Sequence, residues 1–271
     1  MKYLESLFKF YINASIHVAL AVYAFLRITE LYFDLPYNET LNYTIFFGSI
    51  TAYNFVKYAG IAKLHHRSLT SNLKIIQIFS LICFVITCYY GGQLSFKSIF
   101  FLLSFGIVTA LYAIPFLGGF KKSLRNVSSI KIIIISLVWA GVTVLLPIID
   151  VQQSISLEVI LLFVLRLLFV IALTLPFDIR DINYDGESLR TIPQKIGVEN
   201  AKKVGYVLLL LCLVLEFMIA PNTYFRTVFL IIFFVLLFLL MRSTAKQSKY
   251  YSAFWVESLP IFWWILILMF S

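Results

Sequence analysis

The chain has 271 residues, of which 61% are hydrophobic and 17% aromatic but only 13% charged, with a formal net charge of +9. A soluble domain carries about 25% charged residues, so an ordinary water-soluble enzyme is excluded. Nucleic-acid binding is not expected either, because the basic residues are spread over several short connections and never gather on one domain.

A helix that crosses a bilayer needs about 20 apolar residues, and breakers divide the chain into nine apolar runs. Taken in order, the runs predict helices at 7–33, 41–63, 73–91, 98–117, 130–149, 155–177, 200–220, 224–242 and 252–270. The first run is too long for a signal-peptide core and precedes no small-residue cleavage pattern, so it is expected to remain in the protein. The expectation is one all-α, polytopic membrane domain over 1–271 with nine transmembrane helices. Cys83, Cys88 and Cys212 fall inside apolar runs without metal-ligand spacing and read as small core residues.

The connections alternate in charge along this path. Lys2 and Lys9 accompany the start of the first helix, and Glu30, Asp34 and Glu39 its end; Lys63, Arg67 and Lys74 then follow the second helix. Further basic groups come at Lys121, Lys122, Arg125 and Lys131, at Arg180, Arg190 and Lys195, and at Arg242, Lys246 and Lys249. Every Lys and Arg falls on one side except Arg27, Lys97, Arg166 and Arg226. Lys and Arg bias sets orientation, so the N-terminus and connections 118–129, 178–199 and 243–250 are expected on the cytoplasmic side of a bacterial-type inner membrane. The C-terminus is expected outside.

Polar residues within apolar runs are costly and face a cavity or each other. Asn13 and His17, at i and i+4, line an acceptor pocket or join helices structurally. Adjacent His65 and His66 diverge on any regular helix and are not read as a metal pair. Arg166 and Glu216 have similar estimated depth and predict a buried ion pair.

The most informative segment is Leu175-Pro176-Phe177-Asp178-Ile179-Arg180-Asp181-Ile182-Asn183-Tyr184-Asp185-Gly186, followed by Arg190-Thr191-Ile192-Pro193 and Gly197. On a helix Asp178, Asp181 and Asp185 fall at i, i+3 and i+7 and share one face. Such carboxylates repel one another unless a cation sits among them, and hard oxygen donors suit Mg²⁺ with substrate phosphates. The alternative is a solvated acidic patch balanced by Arg180 and Arg190.

This pattern resembles the second aspartate-rich motif of the UbiA superfamily of intramembrane prenyltransferases, especially its menaquinone-pathway branch. Leu111-Tyr112-Ala113-Ile114-Pro115 at the end of the fourth helix is similar to that family's Tyr-containing segment. The resemblance implies a nine-helix bundle with Asp178, Asp181 and Asp185 as Mg²⁺ ligands, Tyr112 lining the site, and an isoprenyl diphosphate as donor. The family's first motif is degenerate here. Asn54 is present, but the three acidic positions hold Phe55, Tyr58 and Ala62, and no carboxylate occurs between Glu39 and Asp150. Lys57, Lys63 and Arg67 stand in that region instead, and cations can clamp phosphate charge. Asn54, Lys57, Arg67, Arg180 and Arg190 are therefore the candidate diphosphate contacts. The implied activity is transfer of the isoprenyl group to a small, aromatic acceptor within the lipid bilayer. Terpene cyclisation within the same fold, or a non-catalytic descendant that binds a lipid or a partner protein, are the other readings.

Overall fold

A chain that cannot leave backbone groups unpaired in hydrocarbon must satisfy them within each segment, and helices dominate accordingly. The computed structural model describes residues 2–62, 71–113, 130–182 and 191–270. Helices α1 (Lys2–Asn13), α2 (Ile16–Tyr32), α3 (Glu39–Ala62), α4 (Ser71–Gly91) and α5 (Phe96–Ala113) come first. Then α6 (Ile130–Ala140) runs through a π-helical turn (Gly141–Leu145) into α7 (Leu146–Asp150), followed by α8 (Leu157–Asp181) and the short α9 (Ile192–Ile196). The chain ends with α10 (Val198–Ile219), α11 (Thr223–Arg242), a second π-helical turn (Tyr251–Val256) and α12 (Leu259–Phe270).

The first predicted helix is broken in two. It starts at Lys2, and α1 and α2 meet at 56° because Ser15 adopts φ 62°, ψ 22°. A left-handed residue ends one helix, and the Ser15 carbonyl then accepts the first bond of the next from Ala19 N–H. The carbonyls left over at this break are met from α3. Lys57 Nζ (3.0 Å) and Tyr58 Oη (2.9 Å) donate to the Asn13 carbonyl, and Asn54 Nδ2 donates to that of Ala14 at 3.0 Å. A cation at a helix C-terminus also complements the macrodipole, by about 0.3–1 kcal/mol.

Among the described residues five helical stretches are long and apolar enough to cross a membrane, and a sixth if α1 and α2 count as one bent span. The expected nine are not all of that kind. Lys202, Lys203 and Glu216 interrupt α10, Asn42, Asn54 and Lys57 interrupt α3, and the described part of α5 ends at Ala113. The outward faces are nonetheless apolar: Ile78, Leu81, Val85 and Tyr89 on α4 are exposed, as are Phe234 and Phe238 on α11. An integral membrane protein is the consistent reading, since hydrocarbon is the solvent for such faces.

Helix α8 lies against α6 and α10, and α2 against α3 and α12. Their shared core is aromatic: Phe25 packs edge-on to Phe169 (5.9 Å between centroids) and Trp263 (6.0 Å), and Trp263 meets Phe229 at 5.0 Å. Edge-to-face pairs contribute about 0.5–1.5 kcal/mol beyond the area they bury.

Arg166 and Glu216 do not form the expected ion pair. Arg166 Nη1 donates to the Phe25 carbonyl at 2.9 Å, and its guanidinium lies 4.0 Å from the Phe25 ring centroid and 5.7 Å from that of Trp263. Glu216 accepts instead from Tyr32 Oη at 2.5 Å. Equal depth along two helices does not set their rotation, and rotation turns the two side chains to different partners.

Gly205 allows α10 to approach α8 and α11. A Cβ there would stand 2.3 Å from Leu240 Cδ2 and 2.8 Å from Leu175 Cδ1. Gly205→Leu is expected to destabilise by about 1–3 kcal/mol through overpacking, read as a lower melting temperature in detergent. An unchanged melting temperature would mean that α10 sits farther out.

Candidate functional site at the Asp181 end of the bundle

Pro176 lies inside α8, and the helix continues past it to Asp181 instead of ending at 177. This extra turn carries the two described carboxylates of the acidic cluster. Asp178 is buried and accepts from Lys131 Nζ of α6 at 3.1 Å. Asp181 takes a two-pronged hydrogen bond from its neighbour Arg180, Nε to Oδ1 at 2.7 Å and Nη2 to Oδ2 at 2.8 Å. The expected mutual repulsion is relieved in this way: each carboxylate has its own cation. Asp185, Arg67, Arg190, His65 and His66 lie outside the described residues, and so does the side chain of Tyr112, which falls on the last turn of α5. Among the described residues no three acidic, His or Cys groups converge as a metal site.

Asn54 and Lys57 reach this end of the bundle through α3. Asn54 is buried, and with Nδ2 committed to Ala14, its Oδ1 has no hydrogen-bond partner among the described residues. A buried acceptor left open costs about 1–3 kcal/mol, so this oxygen is suited to meet a donor or a cation. The hard oxygens of Asn54, Asp178 and Asp181 suit Mg²⁺, which takes one or two carboxylates and fills its shell with water and phosphate. Lys57 reaches the Asn13 carbonyl, so much of its chemistry is used in capping α1.

The connection between α11 and α12 supplies groups that sequence reasoning passed over. Gln247 Nε2 donates to the Pro176 carbonyl and to Ser252 Oγ, both at 2.7 Å. Arg180 Nη1 donates to the Lys249 carbonyl at 3.3 Å, and Lys249 Nζ to Asn13 Oδ1 at 3.1 Å. Glu257, at the head of α12, lies within electrostatic reach of Lys57 and Arg180. Its signal in the sequence was its isolation, as the only acid after Glu216.

His17 is a structural residue. Its Nε2 faces the Phe254 carbonyl and Ser258 Oγ, each at 3.1 Å. A carbonyl only accepts, so Nε2 carries the proton and Nδ1 accepts from Tyr11 Oη at 2.7 Å. Asn13 and His17 thus both join elements of the bundle, Asn13 through Lys249 and His17 through Tyr11, Phe254 and Ser258. Thr191 and Gly197 serve similarly: Thr191 N–H donates to Gln194 Oε1 at 2.9 Å, and Gly197, at φ 82°, turns α9 into α10.

No protein-family model matches the sequence, and no curated protein does. Solved structures do match. The apo UbiA homologue of Aeropyrum pernix K1 aligns over 94% of this chain and 98% of its own, with a TM-score of 0.68 at 15% identity. A UbiA homologue from Archaeoglobus fulgidus bound to DMAPP and Mg²⁺ aligns over 96% and 99%, with a TM-score of 0.62 at 12% identity. A digeranylgeranylglyceryl phosphate synthase aligns over 98% and 97%, with a TM-score of 0.57 at 15% identity. The chain has the UbiA fold. Within that UbiA fold the sequence keeps Asp178 and Asp181 on α8 and Asn54 on α3, while α3 carries no carboxylate after Glu39.

Proposed function

We propose that the protein is an intramembrane prenyltransferase, moving an isoprenyl group from a prenyl diphosphate to a small aromatic acceptor. One observation carries this reading: a UbiA fold shared with a protein holding DMAPP and Mg²⁺ ends in the carboxylates Asp178 and Asp181 beside Arg180. The reading includes nine crossings in a single domain, an N-terminus and site on the cytoplasmic side, and Asp185, Arg67, Arg190 and Tyr112 as further members of the site. The Lys and Arg bias of the sequence supports that orientation.

Asp178, Asp181 and the open Oδ1 of Asn54 would hold Mg²⁺. When bound, the ion neutralises charge that develops on the leaving diphosphate. Arg180 shares that load as a planar donor matched to phosphate oxygens. The bond between prenyl C1 and the diphosphate oxygen breaks with its electron pair on oxygen, C1 bonds to the acceptor, and the acceptor loses a proton. Exclusion of water is the contribution of the apolar bundle, since water would capture the allylic cation first.

The test is farnesyl diphosphate binding to protein in nanodiscs, with Mg²⁺ and with chelator. The parent is expected to bind only with Mg²⁺, and Asp181→Asn to lose about tenfold or more, the worth of one charge-assisted contact. Equal binding by Asp181→Asn in Mg²⁺ and in chelator would remove the metal-site reading. Non-catalytic binding is the second reading, favoured by the missing acids of α3; it predicts binding without any prenylated product.

A further inference from the structure

Outside the carboxylates, the same end of the bundle has a cleft of about 440 Å³ lined by Arg180, Asp181, Lys246, Gln247 and Lys249, among others. Its charge is unbalanced. Asp181 is engaged by Arg180, and Lys246 and Lys249 are both exposed with no carboxylate within ion-pair distance among the described residues. Topology explains why a connection on this side is basic, but it does not explain why this one is fastened. Gln247 closes a turn with Thr244, accepting from its N–H at 3.0 Å, and anchors that turn to the Pro176 carbonyl and Ser252. Arg180 holds the Lys249 carbonyl from the other side. Lysines that only set orientation need no fixed position, whereas lysines that converge on a cleft do.

We propose that this cleft is a phosphate site in which Lys246 and Lys249 take the diphosphate of the prenyl donor, with Arg180 linking it to Asp181. The proposal rests on the prenyltransferase reading and extends it. The positive charge that α3 does not organise through acidic ligands and metal comes here from the connection between α11 and α12. Gln247 is a positioning residue that touches no phosphate.

The experiment compares the full-length parent with Lys246→Ala/Lys249→Ala and with Gln247→Ala, in nanodiscs. The probes are farnesyl diphosphate and inorganic pyrophosphate, with phosphatidylglycerol or phosphatidylcholine as the only lipid. The double variant is expected to lose about tenfold or more in affinity for both probes, with its melting temperature little changed because the one hydrogen bond it removes, from Lys249 Nζ to Asn13 Oδ1, is exposed. Gln247→Ala is expected to lose a smaller factor while keeping the parent's salt dependence of binding, because the turn loses its donor to the Pro176 carbonyl but both lysines remain. If the parent binds farnesyl diphosphate and the double variant binds it equally well, the cleft proposal is overturned and the prenyltransferase reading stands. If the parent binds pyrophosphate through the two lysines but shows no preference for farnesyl diphosphate, the cleft stands as a phosphate site and the donor assignment falls. Loss of pyrophosphate binding in phosphatidylglycerol but not in phosphatidylcholine would assign the cleft to anionic lipid headgroups and overturn the donor proposal.

Discussion

Arg166→Ala is expected to destabilise the fold by about 3–5 kcal/mol, the range for emptying the space of a large buried side chain. Arg166 is fully buried and is held by the Phe25 carbonyl and by two aromatic rings. None of these partners involves Glu216. Most of the loss should therefore persist in a Glu216→Gln background, whereas a contact ion pair would recover much of it in the double variant. Arg166→Lys keeps the charge but not the flat stacking surface, and should recover only part of the stability. A cycle of unfolding measurements in detergent decides the matter. Strong coupling between positions 166 and 216 would show that the two side chains meet.

The second large effect is at Asp178. Self-repulsion within an acidic cluster would make its removal stabilising. With Lys131 Nζ 3.1 Å away and Asp178 only 1% exposed, Asp178→Ala is expected instead to cost about 3 kcal/mol. That is the lower end for a broken buried pair, because Lys131 retains 28% exposure of its side chain. Asp178→Asn/Lys131→Met should regain much of the stability while leaving prenyl diphosphate binding impaired. A rise in melting temperature for Asp178→Ala would mean that repulsion, not pairing, governs the cluster.

These two cases mark where sequence reasoning reaches and where it stops. Helices whose ends are set by local chemistry were legible: α4 was expected at 73–91 and α11 at 224–242, against Ser71–Gly91 and Thr223–Arg242. Asn222 caps α11 by accepting from Tyr224 and Phe225 N–H, a signal carried by the adjacent residues. The break at Asn13–Ser15 was not legible, because it is stabilised by Asn54, Lys57 and Tyr58, some forty residues away. The continuation of α8 past Pro176 was not legible either, nor were the contacts of Gln247 and Ser252 with the Pro176 carbonyl, some seventy residues away in sequence. The acidic pattern pointed to the candidate site, but Lys131, the cationic partner of Asp178, had looked like an ordinary topology charge. Only folding distinguishes a lysine that sets orientation from one that meets a carboxylate.

The left-handed turn at Ser15 also has a mechanical meaning. Helix α1 is about 18 Å long, and its contacts lie in its second half, where Phe8 packs on Tyr250 and Phe254 and Phe10 on Phe79. Its first half presents exposed Tyr3, Leu4 and Leu7, apolar groups suited to the boundary between headgroups and acyl chains. Asn13 then transmits load in two directions, through its carbonyl to Lys57 and Tyr58 and through its side chain to Lys249. Helix α1 is thus anchored at one end only: Asn13 ties it to α3 and to the connection that carries the basic cleft, while the half that bears Tyr3, Leu4 and Leu7 stands exposed.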